Sequence, residues 1–267
     1  MRKIFAIFCI SICSLAIQAQ TMEVGLFGGG SYYLGDLNPG MPFIMVKPAY
    51  GVVARYNYGT RWAFKLNGFR GKVAGDDAVS KANEVRGVNF ESNITDISLS
   101  AEFNFFDYFT GSKRDVLTPY IFGGVGFFFY NPVSNGVNLR DIGTEGQQAG
   151  FDGRKPYKNL SFDIPFGIGV KYSLNRRLAF TMEWGMRKTF CDYIDDVSKT
   201  YYLDGASIDP GNTEQVLSDP TFAHKPYMER GNPKTNDWYN FFGISLTYKF
   251  RIFGRRGCPD QQISQMK

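Results

Sequence analysis

Histidine, cysteine and long apolar runs are all scarce in this sequence, and each shortage closes a class of function. One histidine, His224, occurs in 267 residues, which excludes a multi-histidine metal centre. It stands in Ala223-His224-Lys225-Pro226 with no Ser or Cys at a recognisable motif spacing, and it reads as a surface loop residue. The four cysteines form no C-x-x-C and no metal-ligand spacing. Only residues 4–17 are continuously apolar, and mean hydropathy is −0.24, so a helix-bundle membrane protein is disfavoured. Charge is nearly balanced and evenly spread, with 30 Lys+Arg against 25 Asp+Glu. A net +5 of that kind does not describe a nucleic-acid partner. Aromatics are plentiful instead: 25 Phe, 16 Tyr and 3 Trp, enough to exclude a disordered chain.

The N-terminus reads as a secretory signal, residues 1–19. Met1-Arg2-Lys3 is basic, Ile4 to Ile17 is an apolar stretch of 14 residues, and Gln18-Ala19-Gln20 follows. Cleavage after Ala19 removes Arg2 and Lys3, lowering the net charge from +5 to +3. It also removes Cys9 and Cys13, leaving Cys191 and Cys258 in an exported protein.

The body of the chain, 20–252, alternates with period two. Phe242, Ile244, Leu246, Tyr248, Phe250 and Ile252 oppose Gly243, Ser245, Thr247, Lys249 and Arg251. The same pattern runs through 178–187, 96–105, 162–172 and 62–67, and more weakly through 24–34 and 50–58. Tyr120 to Tyr130 is apolar on both faces, so its inward side stays open. About eight strands of roughly 9–13 residues result, a length that crosses a bilayer at a tilt. Connections near 59–61 and 175–177 are tight and that near 107–117 is moderate. Those near 35–48, 73–93, 131–158 and 191–237 are long and read as polar. The pattern predicts an all-β, eight-stranded up-and-down antiparallel transmembrane β-barrel with long extracellular loops, in the bacterial outer membrane, both termini periplasmic.

Energetics assign the faces. The proposed inner face carries Arg55, Lys65, Asp96, Glu102, Asp163, Lys171, Glu183, Arg187 and Lys249, five basic and four acidic. A Lys or Arg facing lipid at the midplane costs about 2–4 kcal/mol, so these residues face the lumen. There, in a barrel just wide enough to be filled by side chains, they are expected to pair and leave no open pore. A soluble barrel with a greasy pocket would reverse the pattern. The aromatics near strand ends (Tyr32, Tyr33, Tyr50, Tyr56, Tyr58, Trp62, Tyr120, Tyr130, Tyr172, Tyr239, Tyr248) read instead as interfacial girdles.

No catalytic, cofactor or metal site is expected. Gly28-Gly29-Gly30 and Gly123-Gly124 precede no helix and are not phosphate loops. Asp192, Asp195, Asp196, Asp204, Asp209 and Glu214 read as a solvated acidic loop, with a hard cation as the sharper alternative. After Ile252 a basic tail, 253–267, carries Arg255, Arg256 and Cys258. Cys191 and Cys258 should lie on opposite sides of a hydrocarbon core about 25–30 Å thick. A disulfide needs Cα atoms within about 7 Å, so no bond between them is expected.

Several segments together carry a resemblance. They are the export signal ending Gln18-Ala19-Gln20, Tyr32-Tyr33-Leu34-Gly35-Asp36-Leu37-Asn38, Ala101-Glu102-Phe103-Asn104-Phe105-Phe106, Thr118-Pro119-Tyr120, Tyr248-Lys249-Phe250-Arg251 and Gly257-Cys258-Pro259. Gly243, Leu246, Tyr248 and Phe250 also match the C-terminal assembly signal of bacterial outer-membrane proteins. The chain resembles a Bacteroidota outer-membrane barrel family that includes PorG, a component of the type IX secretion system. The resemblance implies a non-enzymatic barrel that holds a periplasmic ring, a PorK-like lipoprotein with a PorN-like partner, against the membrane for secretion and gliding. Periplasmic contacts are then expected at Asp107, Lys113, Arg114, Arg255, Arg256 and Cys258. The other classes in view are a surface binding or adhesion barrel working through its long loops and, more distantly, a lipid-active enzyme.

Overall fold

A computed structural model describes residues 21–251. The signal segment and the tail, with Arg255, Arg256 and Cys258, lie outside the described residues. No helix among the described residues is long and apolar enough to cross a membrane. The chain is crossed by strands: β1 (Thr21–Leu34), β2 (Lys47–Tyr58), β3 (Trp62–Asp76), β4 (Asn89–Asn104) and β5 (Leu117–Phe129). A short hairpin of β6 (Pro132–Ser134) and β7 (Val137–Asn138) follows, then β8 (Leu160–Ser173), β9 (Leu178–Thr189) and β10 (Trp238–Arg251). Every long strand pairs antiparallel with its neighbours, β1 with β10 and β3 with β4, so the sheet closes into an eight-stranded barrel.

Closure needs close approach at the β1–β10 seam. Gly29 pairs with Gly243 there. A Cβ on Gly29 would lie 2.0 Å from the Phe242 carbonyl oxygen, so only glycine lets the two backbones meet.

The strands are longer than the oily alternation suggests. The 73–93 segment, expected as loop, is largely ladder: β3 and β4 stay paired out to Asp76 with Asn89. The alternation of oil and polarity stops where the wall leaves hydrocarbon, but backbone pairing does not. The connection 35–46 is also not polar throughout. Met41, Phe43 and Val46 are about half exposed, and the Phe43 ring packs 4.8 Å from Tyr32 and 5.1 Å from Phe242.

Parity settles the faces. Tyr120, Phe122, Phe128 and Tyr130 are buried inside, while Ile121, Val125, Phe127 and Phe129 point out. Four aromatics expected in girdles are lumenal: Tyr33, Tyr120, Tyr130 and Tyr239, each at most 2 % exposed. Tyr32 points outward but is covered by Phe43. Tyr50, Tyr58, Trp62, Tyr172 and Tyr248 remain exposed on the outer wall. Across mid-wall one ladder rung runs Leu66–Leu99–Val125, all three at least half exposed. Such a continuous oily exterior is stable only against lipid.

Leu99→Arg tests this assignment. In lipid bilayers it should lower unfolding free energy by about 2–4 kcal/mol, read by denaturant titration; an unchanged midpoint would remove this rung from hydrocarbon.

Candidate functional site

Three polar assemblies are built on this frame: a lumenal charge network, a plug at the short-turn end and a folded cap at the long-loop end.

The lumenal network centres on Glu102. Its Oε2 accepts from Arg55 Nε at 2.8 Å and Lys171 Nζ at 2.6 Å, and Lys65 Nζ lies 3.5 Å from Oε1. Arg55 Nη1 reaches Glu23 at 3.0 Å, and Lys65 Nζ reaches Glu183 at 2.5 Å. Tyr120 also donates to Glu183, at 2.8 Å. Three carboxylates thus meet three cations, all out of solvent. Nearer the long-loop end Asp96 accepts from Tyr239 at 2.8 Å and lies 3.8 Å from Arg187 Nε. Asp163 is buried in the same region. Eight of the nine residues expected inside are therefore buried in the lumen. Lys249 is only half-buried and sits at the short-turn rim. It donates to the Thr110 carbonyl and lies 4.3 Å from the centre of the Phe109 ring. Glu23 was not anticipated, although it shares parity with Gly25 and Phe27 opposite the outward Val24 and Leu26.

The plug is the connection 105–116. Tyr108 and Thr110 turn into the barrel and are buried, and Thr110 Oγ1 donates to Glu23 at 2.6 Å. Asp107, an expected contact residue, stays exposed and ties two turns together, accepting from Arg61 at 2.7 Å and Thr60 at 2.8 Å. These bonds hold its carboxyl below the usual range. Lys113 and Arg114 are exposed on the same turn.

The cap folds from 35–46, 77–88, 130–159 and 190–237. Its apolar centre (Leu37, Val88, Leu139, Ile194, Val197) continues into the barrel mouth through Tyr33, Phe128, Tyr239 and Phe241. Arg86 clamps Asp77 at 2.5 Å and 2.7 Å and donates to the Asp36 and Arg230 carbonyls at 2.9 and 2.8 Å. Arg230 donates to the Asp196 carbonyl at 2.5 Å and lies 3.4 Å from Glu145. The Tyr33 hydroxyl stands 2.5 Å from Asp195 and 2.8 Å from Asp237.

Two expectations for this region are corrected. Asp195 and Asp196 are fully buried rather than solvated, because Tyr33, Thr144, Tyr157 and backbone amides take the place of water. Asp204, Asp209 and Glu214 are exposed. No metal-holding cluster of His, Cys, Asp and Glu occurs among the described residues. His224 is also buried, stacked on Tyr201 with centroids 4.1 Å apart, its Nδ1 2.8 Å from Asp219. Cys191 is a free thiol 2.9 Å from the Tyr130 hydroxyl, and burial pushes it up to about 12, so it is unreactive at neutral pH.

Lumenal side chains sealed to this degree, between plug and cap, leave no continuous aqueous path through the described barrel. Oily exterior, filled charged interior and closed ladder define the class: a transmembrane β-barrel of the outer-membrane type. The chain belongs to the family described as a domain of unknown function (DUF6089), whose model matches residues 1–259. Comparison with curated proteins finds no match. Among solved structures the chain is similar to Ail, the attachment invasion locus protein of Yersinia pestis, solved with the heparin analogue sucrose octasulfate. Identity is 8%, covering 87% of this chain and 100% of that one, at a TM-score of 0.42. It is also similar to Neisserial surface protein A (10%; 87% and 98%; 0.43) and to OprG of Pseudomonas aeruginosa (12%; 87% and 95%; 0.41). Likeness at this level carries no inference about function.

Glu102→Ala should leave Arg55, Lys65 and Lys171 without their shared anion, at a cost of about 3–5 kcal/mol. The readout is loss of the heat-modifiable gel shift of the folded barrel at lower temperature, with Glu102→Gln intermediate.

The cap should respond to pH. Burial raises Asp192 to about 7 and Asp196 to about 6, and raises Asp195 and Asp237 as well, from an ordinary 3.8. The folded cap therefore binds more protons than the unfolded one between about pH 4 and 7, and its stability falls as pH rises through that window. Asp219 acts oppositely: its burial is outweighed by bonds from His224, and its carboxyl is lowered. Hydrogen exchange across 190–237, corrected for intrinsic rate, should be faster at about pH 8 than at about pH 5. Asp192→Asn should flatten the difference.

Proposed function

We propose that this chain is a non-enzymatic anchor in the bacterial outer membrane, long loops outside and short turns in the periplasm, that docks protein partners on its short-turn face. The observation that carries the reading is the charge of that face. Arg61, Lys113, Arg114, Arg176 and Arg177 are exposed there against Asp107 and Asp115, a basic surface suited to an acidic partner. A sealed lumen supports the same reading, since it leaves surfaces rather than a passage as the working parts. The resemblance to the barrel family that includes PorG supplies the finer proposal. The partners are a periplasmic ring of a PorK-like lipoprotein and a PorN-like protein, and the process is type IX secretion and gliding.

A second reading is favoured by the cap. Phe222 and Tyr227 both hold left-handed backbone, φ 55° and 69°, while exposing 40 % and 66 % of their surface. Exposed aromatics on strained backbone suit adhesion to, or binding of, an external partner.

One crosslinking pull-down from outer membranes with a tagged barrel separates the two. Lys113→Glu/Arg114→Glu/Arg177→Glu should abolish capture of periplasmic ring proteins while insertion stays intact; undiminished capture removes the docking role. Loss of a captured external partner only in Phe222→Ser/Tyr227→Ser favours the second reading. Orientation is read in whole cells with a membrane-impermeant maleimide: Ser207→Cys should label and Lys113→Cys should not.

A further inference from the structure

The outer wall is not uniform toward the long-loop end. On β5 and β8 the outward positions stay aromatic, with Phe127, Phe129 and Phe162 about half exposed. On β3 and β4 the same face turns polar. One ladder rung runs Tyr50–Arg70–Thr95–Phe129. Tyr50 and Phe129 are exposed aromatics of the kind that sit at the lipid–water boundary, where head-group phosphates lie. Arg70 therefore stands in the girdle row, one outward position beyond Gly68 and two beyond the oily Leu66. It is exposed and has no ion-pair partner among the described residues. The next outward residue of β3 is Lys72. Its Nζ lies 3.6 Å from Glu91 Oε2, while Lys47 takes the other oxygen of Glu91.

Beyond these cations a cavity of about 370 Å³ opens against the β3–β4 hairpin, lined by Lys72, Asp76, Asn89, Glu91, Asn93 and Asn135 among others. Asp76 is committed as a helix cap, accepting from the Ala78 amide at 2.8 Å. Glu91 and Asp76 together offset the charge of Lys47 and Lys72, which leaves the net positive charge of Arg70 for an anion, with the Lys72 ammonium beside it as a second donor.

We propose that this stripe binds the phosphorylated sugar head group of a glycolipid in the surrounding leaflet. Arg70 and Lys72 take the phosphate, and the amide-lined cavity takes the sugar. The inference rests on the long loops facing outward. A guanidinium beside hydrocarbon is best satisfied by a phosphate it can grip with two N–H groups. A plain phospholipid supplies that phosphate but leaves the cavity and its amides unfilled. A sugar offers hydroxyls to match the amides of Asn89, Asn93 and Asn135. The acyl chains then run down the exposed Val52, Leu66 and Ile97.

The test uses the detergent-purified chain and measures binding of bisphosphorylated lipid A, its dephosphorylated form, phosphatidylglycerol and inorganic phosphate by native mass spectrometry. Arg70→Ala/Lys72→Ala should weaken bisphosphorylated lipid A about thirtyfold. Lys188→Ala, an exposed outer-wall cation 5.9 Å from the Trp238 ring centre, should leave it unchanged. Equal binding of the dephosphorylated lipid, of phosphatidylglycerol or of free phosphate overturns the proposal, as does an equal loss in Lys188→Ala. Each variant is first checked for the folded gel shift. If maleimide labelling puts the long loops inside while glycolipid preference persists in detergent, the orientation fails and the site stands.

Discussion

One buried carboxylate organises this barrel. Glu102 is met by Arg55, Lys171 and Lys65, and these in turn are occupied by Glu23 and Glu183. The arrangement answers a constraint that any small barrel faces. Inward positions of eight strands must be filled, and filling them with oil would erase the difference between lipid and lumen that orients each strand. Charges keep the two faces distinct, but a buried charge is tolerated only when paired and hydrogen-bonded. Equal numbers of acids and bases in the lower lumen, with Tyr120, Thr110, Thr247 and Asn57 taking most of the remaining valences, come close to that condition, Glu183 Oε1 being the carboxylate oxygen of this group left without a partner.

From this filling follows the rigidity of both ends. The plug docks because Glu23 offers Thr110 an acceptor inside the lumen, and the cap docks because aromatic side chains carry the apolar centre down to the charged layer. Loops of such length are ordinarily mobile and carry binding by adaptation. Here arginines spanning separate loops and buried carboxylates make them a folded lid. The cap therefore presents a preformed surface. With the described lumen filled, the barrel's two ends differ in what each displays: exposed cations at the short turns, aromatics on left-handed backbone in the cap.

The strands were legible because membrane and lumen impose opposite demands at alternate residues, and Leu66, Leu99 and Leu246 against Lys65, Ser98 and Ser245 obey both. Legibility ended where that contrast did. Tyr33 and Tyr239 look like girdle residues by composition, yet parity turns them inward, and only their register with Asp96, Asp195 and Asp237 explains it. The β3–β4 ladder outlasts its oily pattern because backbone bonds need no side-chain contrast. Arg86, Glu145 and Arg230 could not be picked from the loops at all. Most of their partners are distant in sequence, 144 residues for Arg86 and the Arg230 carbonyl, and even Asp77, nine residues from Arg86, is linked to it by no period. His224 and Asp195 read as surface residues for the same reason: burial in the cap is a tertiary fact.

The segment Tyr33-Leu34-Gly35-Asp36-Leu37-Asn38 shows how a short motif can encode a long-range contact. Gly35 and Asn38 close a turn through paired backbone bonds of 3.1 and 3.0 Å, and Asn38 Nδ2 donates back to the Tyr33 carbonyl at 2.8 Å. That turn aims Leu37 into the cap centre and presents Asp36 to the Asn232 amide at 2.8 Å, across the longest loop. Gly35 leaves room for the Tyr33 hydroxyl and Asp237; a Cβ there would lie 2.1 and 2.2 Å from them. Tyr33, Gly35, Asp36, Leu37 and Asn38 thus each have a separate duty in pinning 190–237 over the barrel mouth. A chain could conserve charge and oil throughout its strands and still lose the lid if this turn changed. The motif that most distinguishes the sequence is therefore the fastening of the cap, and a barrel carrying it is committed to a closed, preformed face over its long-loop mouth.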